Sequence, residues 1–324
     1  MGTKREGLIV AVVGARFGDL AIEEKILRPA RCRLVRGPGE SAGSIIALCR
    51  GAAGVLAGAI GPRFTAEVIS SLDSCRVIAR YGVGVDNIDT GAAEKKGILV
   101  TNVPDYCVDE VSDHAMALIL TFARKLHTGA AAAKTGDWSI GPLQPVHPLR
   151  GSVLGIAGIG RIGSALARKA RAFGMRIAAF DPFAPEAAFR RIRAAKVSLD
   201  DLLEASDYVS LHAPLTPKTR GMIGRAQFER MKPEAVVINV ARGGLIDEEA
   251  LAAALTRKRI RGAGLDVLAE EPPAQGHPLL ALPSCIVTPH KAWYSVSAQE
   301  KLRRGAAGEV LRVLRGREPK YRVV

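Results

Sequence analysis

Short runs of β-branched and aliphatic residues alternate with longer Ala-, Leu- and Glu-rich stretches along the whole chain. This alternation predicts strands and helices in turn, hence an α/β fold with parallel sheets. In the first third the strand candidates are Leu8–Val13, Gly54–Ala57, Arg76–Arg80 and Ile98–Thr101, which suggest one small doubly wound domain. From Cys107 to His127 the chain has neither Pro nor Gly. Val111, Ala115, Leu118 and Phe122 recur there at helical spacing, so the pattern predicts one long helix. Pro104, just before it, marks a natural domain boundary. The Gly/Pro-rich stretch from Gly136 to Gly151 reads as a connector.

A second α/β series begins at Ser152. Its strand candidates are Val153–Ala157, Arg176–Phe180, Tyr208–Leu211, Ala235–Val240, Ala263–Val267 and Cys285–Thr288. That is about the number in a full dinucleotide-binding sheet. A basic helix over Ser297–Arg315 is placed to return to the first domain. The expected organisation is therefore two doubly wound domains. Residues 1–106 with 296–324 form a flavodoxin-like substrate domain, and residues 107–295 form a Rossmann domain.

Composition narrows the class. The chain has 324 residues, 48% of them hydrophobic and 24% charged, enough for two cored domains. No apolar run is long enough to span a bilayer. The start, Met1 to Gly7, leads directly into a strand-like run and lacks the apolar core of a secretory signal, so the cytoplasm is the expected location. Five cysteines (Cys32, Cys49, Cys75, Cys107 and Cys285) are scattered singly, which argues against zinc or a disulfide framework; no metal is expected. The net charge of +14 would attract anionic substrates and cofactor phosphates. Its basic clusters, Arg190–Arg193, Arg257–Arg261 and Lys301–Arg317, lack interleaved aromatics and read as solvated helix faces. With no helix-turn-helix or zinc finger, nucleic acid is not expected as a partner, nor is a membrane.

The run Val153-Leu-Gly-Ile-Ala-Gly158-Ile-Gly160-Arg-Ile-Gly163 fits strand, G-x-G-x-x-G, helix. Gly158 would allow the tight turn, Gly160 close approach to a pyrophosphate, and Gly163 close helix packing. Arg161 and Ile162 would supply first-turn amides to the phosphates. Asp181 lies 23 residues after Gly158, at the end of the next strand. A carboxylate at this offset, about 20 residues, accepts from the adenosine 2′-OH and repels a 2′-phosphate, so NAD is favoured over NADP. The plainer reading of Asp181 is that it starts the turn with Pro182.

In open α/β sheets ligands bind beyond the carboxyl ends of the strands. Reading those ends gives Arg242, Glu271 and His290 after three different strands. Arg242 can bind a 2-oxo acid and polarise its carbonyl. His290 can give a proton to the carbonyl oxygen, or take it from the hydroxyl in reverse. Glu271 can bond the other imidazole nitrogen, fix the tautomer and favour the charged ring. Singly, each has an ordinary structural reading; beside a nucleotide fold, the three together read as a site.

These stretches also resemble a family. Leu154-GIAGIGRIG-Ser164, Asn239-VARGGLIDEEAL-Leu251, Gly264-LDVLAEEPP-Pro273 and Thr288-PH-His290 are similar to the D-isomer-specific 2-hydroxyacid dehydrogenases, the group with phosphoglycerate dehydrogenase, formate dehydrogenase and the C-terminal binding proteins. The likeness extends to Arg80-YGVGVDNID-Asp89 and Gly97-ILVTNVP-Pro104. It implies Arg242, Glu271 and His290 as catalytic residues. It also implies substrate carboxylate binding by backbone N–H groups of Gly82, Val83 and Gly84, with Arg80 adding positive charge. Nicotinamide contacts are implied near Ala241 and Asp266, and cofactor contacts along His212, Ala213 and Pro214. The long helix Val108–His127 would help build a homodimer. One departure is His290-Lys-Ala-Trp293-Tyr294-Ser295, which resembles the C-terminal binding proteins. Trp293 either lines the substrate pocket or packs between domains. The resulting expectation is an NAD-dependent enzyme interconverting a small D-2-hydroxy acid and its 2-oxo acid. Phosphoglycerate dehydrogenase of serine synthesis and an NAD-sensing corepressor-like protein are the alternatives.

Overall fold

The computed structural model describes residues 7–15, 17–58 and 63–324; residues 1–6, on which the reading of the leader rests, lie outside this set. The chain divides into two compact units, Met1–Cys107 with Ser295–Val324, and Val108–Tyr294.

The first unit holds strands β1 (Ile9–Val13), β2 (Arg33–Gly37), β3 (Ala52–Ala57), β4 (Val77–Arg80) and β5 (Leu99–Thr101). They form one parallel sheet in the order β2-β1-β3-β4-β5, the doubly wound arrangement with a switch point between β1 and β3. Every residue of β3 is buried, as a central parallel strand flanked by helices requires. The edge strand β2, Arg-Leu-Val-Arg-Gly, is not among the predicted strands. Its half-exposed position needs no continuous apolar run, so its charged residues conceal it. Helix Val296–Leu314 is capped by Ser295, whose Oγ accepts from Ala298 N at 2.9 Å. It buries Leu302, Ala306 and Val310, the last against Gly54 of β3. The same helix presents Arg303, 7% exposed, to the fully buried Glu23 at 2.6 Å. Tyr81 Oη donates to that carboxylate at 3.0 Å, which fixes the backbone where it leaves β4. Beyond the helix the last residues return to the sheet, with Val323 N and Val324 O bonded to Val100.

The second unit holds β6 (Val153–Ala157), β7 (Arg176–Phe180), β8 (Ala195–Lys196), β9 (Tyr208–Leu211), β10 (Val236–Asn239), β11 (Gly262–Leu265) and β12 (Cys285–Val287). All are parallel, in the order β12-β11-β10-β9-β6-β7-β8. The order reverses at β6, leaving a nucleotide crevice between β6 and β9. The added edge strand β8 has two residues, too few to show any periodicity. The expected single helix from Cys107 to His127 is corrected to two, Val108–Ala123 and Leu126–Lys134. The break falls where burial ends. Phe122 is 4% exposed, packed where a Cβ on Gly262 would meet it, whereas helix Leu126–Lys134 buries no residue. Lys125 turns left-handed at φ 48° between them. No helix among the described residues is long and apolar enough to cross a membrane.

Candidate active site

The glycine-rich turn follows β6 directly. Gly158 adopts φ +97°, and a Cβ there would lie 2.8–2.9 Å from the backbone of His212 and Ala213. The two loops after β6 and β9 therefore touch, bringing together two predicted cofactor segments; Pro214 follows, its carbonyl taken by Thr219 Oγ1. A Cβ on Gly163 would lie 2.1 Å from Gly158 O, so only glycine lets helix Arg161–Ala172 start this close to the strand. At Gly160 a Cβ would meet no protein atom. The first-turn N–H groups of Arg161 and Ile162 have no protein acceptor among the described residues. A pyrophosphate fits this cradle of open space, unspent donors and helix dipole. His212 shares a proton with Ser210 Oγ across 2.9 Å, and burial pushes its imidazole down to about 4. It stays neutral beside the phosphate position.

Asp181 ends β7. One oxygen accepts from Ile159 N at 3.0 Å, and the other from Phe183 N and Ala184 N at 3.0 and 3.1 Å. Asp181 builds the turn, and it also lines an open cleft of about 550 Å³ with Gly160, Phe183, Pro185 and Arg191. Phe183, 88% exposed on that lip, is not singled out by the sequence, and Arg191 is marked there only as part of a basic cluster. The signal for Phe183 is its position just after Asp181.

Arg242, Glu271 and His290 come from the ends of β10, β11 and β12. After β10, Asn239 spans the turn: its Oδ1 accepts from Ala241 N at 3.0 Å and its Nδ2 donates to Arg242 O at 2.8 Å. Gly243 explains the next position. A Cβ there would lie 1.9 Å from the carbonyl carbon of Leu268, so the Arg242 turn and the Glu271 loop lie backbone to backbone. Asp247 then caps helix Glu248–Thr256, and Glu248 reaches back to accept from Ala269 N at 2.7 Å. Glu271 Oε1 accepts from Leu268 N at 3.0 Å, and its Oε2 lies 2.6 Å from His290 Nδ1. Burial pushes the Glu271 carboxyl up, but the His290 hydrogen bond and charge, the Leu268 N–H and the Arg242 charge together bring it below its usual value. The carboxylate thus accepts the hydrogen bond from Nδ1–H, leaving His290 Nε2 as the atom for exchange. The His290 side chain is 35% exposed, open enough to meet a ligand. Its backbone is left-handed at φ 53°.

Asp266 is expected from the sequence beside the nicotinamide. The structure places it beneath the His290 turn, 1% exposed, where its oxygens accept from Lys291 N at 2.9 Å and Ala292 N at 2.8 Å. It therefore holds the loop rather than opening to a ligand. Trp293 is half-buried, its ring edge-on to Tyr294 at 5.6 Å.

In the first unit Arg80 ends β4, and Val83 and Gly84 follow in the next turn. Arg80 folds over Gly82, whose φ of +145° and missing Cβ leave room for the guanidinium. Gly82 N donates to Arg80 O at 2.9 Å, which removes it from the expected anion donors. The N–H groups of Val83 and Gly84 have no protein acceptor among the described residues, and Asn102 Nδ2 holds Val83 O at 2.6 Å. Two adjacent free amides beside a guanidinium suit a carboxylate.

Comparison with known proteins agrees with this geometry. A sequence profile of the D-isomer specific 2-hydroxyacid dehydrogenase NAD binding domain matches residues 116–292. D-3-phosphoglycerate dehydrogenase of Methanocaldococcus jannaschii is 42% identical over 257 residues, 79% of this chain and 49% of that protein. The chain thus spans about half the length of that relative. Glyoxylate reductase of Korarchaeum cryptofilum is 39% identical over 257 residues, 78% of this chain and 77% of that one. The crystal structure of a Thermus thermophilus protein superposes with TM-score 0.88 at 37% identity, covering 98% of this chain and 100% of that one. With nucleotide cradle, strand-end triad, profile and relatives in agreement, the chain belongs to the D-isomer specific 2-hydroxyacid dehydrogenase family.

Proposed function

We propose that this chain is an NAD-dependent oxidoreductase that interconverts a small D-2-hydroxy acid and its 2-oxo acid. The observation that carries the reading is the 2.6 Å Glu271–His290 pair, close enough to Arg242 for its charge to act on Glu271. When bound, NADH supplies the hydride. Arg242 binds the substrate carboxylate and draws electron density toward the C2 oxygen. His290 Nε2 gives its proton to that oxygen as reduction proceeds, while Glu271 stabilises the ring's positive charge. In oxidation the same nitrogen takes the hydroxyl proton. In the first unit, Arg80 and the amides of Val83 and Gly84 form a cradle suited to a carboxylate. The nucleotide is held by Gly158, Gly160, Arg161, Ile162 and Gly163, with Asp181 on the adenosine ribose.

A panel of glyoxylate, hydroxypyruvate, pyruvate and 3-phosphohydroxypyruvate with NADH or NADPH tests the reading. Preference for NADH is expected. His290→Ala and Arg242→Ala should lose nearly all turnover and keep nucleotide binding. Wild-type activity in His290→Ala would remove the proton donor and with it the mechanism. Phosphohydroxypyruvate is the second candidate, supported by the 42% identical relative. A gel-shift arm at physiological salt tests the corepressor alternative.

The five cysteines, scattered singly along the chain, suit a reducing cytoplasm. A homodimer built on the segment from Leu126 to Ile140 is supported by its exposed side chains: Leu126 57%, Trp138 88% and Ile140 69%. Light scattering on Trp138→Asp should show a monomer where the wild type is a dimer.

A further inference from the structure

The turn that carries His290 hangs on one enclosed carboxylate. Besides Lys291 N and Ala292 N, Asp266 accepts from Thr288 Oγ1 at 2.5 Å, and its carbonyl takes His290 N at 2.8 Å. Such a buried charge needs compensation. Among the described residues the one side chain of cationic type within ion-pair reach is His114, its Nε2 3.7 Å from Asp266 Oδ1. His114 stands on helix Val108–Ala123, which is anchored by buried Ala115, Leu118 and Phe122. The same Nε2 is 2.9 Å from Thr288 Oγ1. The Thr288 hydroxyl has a single proton, and it goes to Asp266. Its lone pair must then accept from His114, which places the His114 proton on Nε2. The bonds run one way, from imidazole to hydroxyl to carboxylate. The hydroxyl's other acceptor, Leu265 O, lies at 3.5 Å.

We propose that His114 is a positioning residue for His290. By donating to Thr288 it keeps that hydroxyl turned to Asp266, and Asp266 then holds the 290–292 backbone in its left-handed turn. The effect on rate rests on His290 being the proton donor proposed above; the effect on the loop does not.

The test compares His114→Ala, His114→Gln (which keeps an N–H at the Nε2 position) and Thr288→Val with the wild type. It reads hydrogen exchange at the 290–292 amides, NADH affinity by fluorescence titration, and kcat and KM with the best 2-oxo acid. Loss of one buried hydrogen bond predicts exchange about tenfold faster, confined to that turn, in His114→Ala and Thr288→Val. kcat should fall about tenfold, with KM and NADH affinity within about threefold, and His114→Gln should restore most of both losses. Unchanged exchange at these amides overturns the proposal. So does unchanged kcat with faster exchange, or a Gln variant as poor as Ala. If His114→Ala does not fold, Thr288→Val, which leaves the helix intact, decides the matter. A wild type inactive on every 2-oxo acid would sink the dehydrogenase reading, while the exchange data would still decide the anchoring of the turn.

Discussion

Gly243→Ala is the most demanding test of how this site is assembled. The added Cβ would sit 1.9 Å from Leu268 C, 2.1 Å from Leu268 O and 2.3 Å from Ala269 N. All three atoms are backbone, so no rotamer relieves the contact. Ordinary contact begins near 3.4 Å, so the turn and the loop must part by about 1.5 Å. Overpacking of this kind costs about 3 kcal/mol, the upper end of its usual range. In a unit of this size that corresponds to a melting decrease of roughly 6–12 °C. The separation also moves Arg242 away from Glu271 and His290, and a displacement of about 1 Å costs on the order of 100-fold in rate. The assay is calorimetry with steady-state NADH oxidation on the same sample. A variant that melts with the wild type and keeps kcat/KM within about threefold would show that the two loops are not locked together, refuting this account of the site.

Other substitutions separate the parts. Gly160→Ala should leave melting unchanged, because its Cβ meets no protein atom, yet weaken NADH binding at least about tenfold in a fluorescence titration. Glu271→Gln keeps the shape but places an amide against His290 Nδ1; the lost charge-assisted bond predicts a fall in kcat of about 10- to 100-fold with little change in NADH affinity. His212 has an imidazole lowered from 6.5 to about 4 by burial, so the unfolded chain binds its proton first. Its contribution is present above the unfolded value and is lost as pH falls from about 6.5 toward 4, by up to about 3 kcal/mol. Denaturant melts across that window should show a shallower loss of stability in His212→Gln than in the wild type.

The parts of the molecule legible in the sequence are those that depend on local pattern. A central strand such as β6 is buried on both faces, so an apolar run marks it to the residue. The edge strands β2 and β8 escape because half-solvated pairing imposes no such run. The break near Lys125 escapes because nothing local announces it; the helix stops where there is no longer a core to cover. The glycine cradle, Asp181 and the strand-end trio follow from spacing and strand order. The scaffolding behind them does not. His114 meets Thr288 across 174 residues, and Gly243 is required by a backbone segment with which it shares no motif. The loop-holding role of Asp266 is hidden for the same reason, since its partners are amides that become neighbours only when β11 and β12 pair.

The left-handed backbone at His290 has a consequence for anyone adapting this scaffold. Glycine would occupy that conformation without the penalty of roughly 1 kcal/mol that a β-carbon carries there. A library screened only for heat resistance would therefore favour glycine at position 290 and drift toward hardy, inert proteins. Rounds of selection need a turnover gate if robustness is to be gained without losing the chemistry.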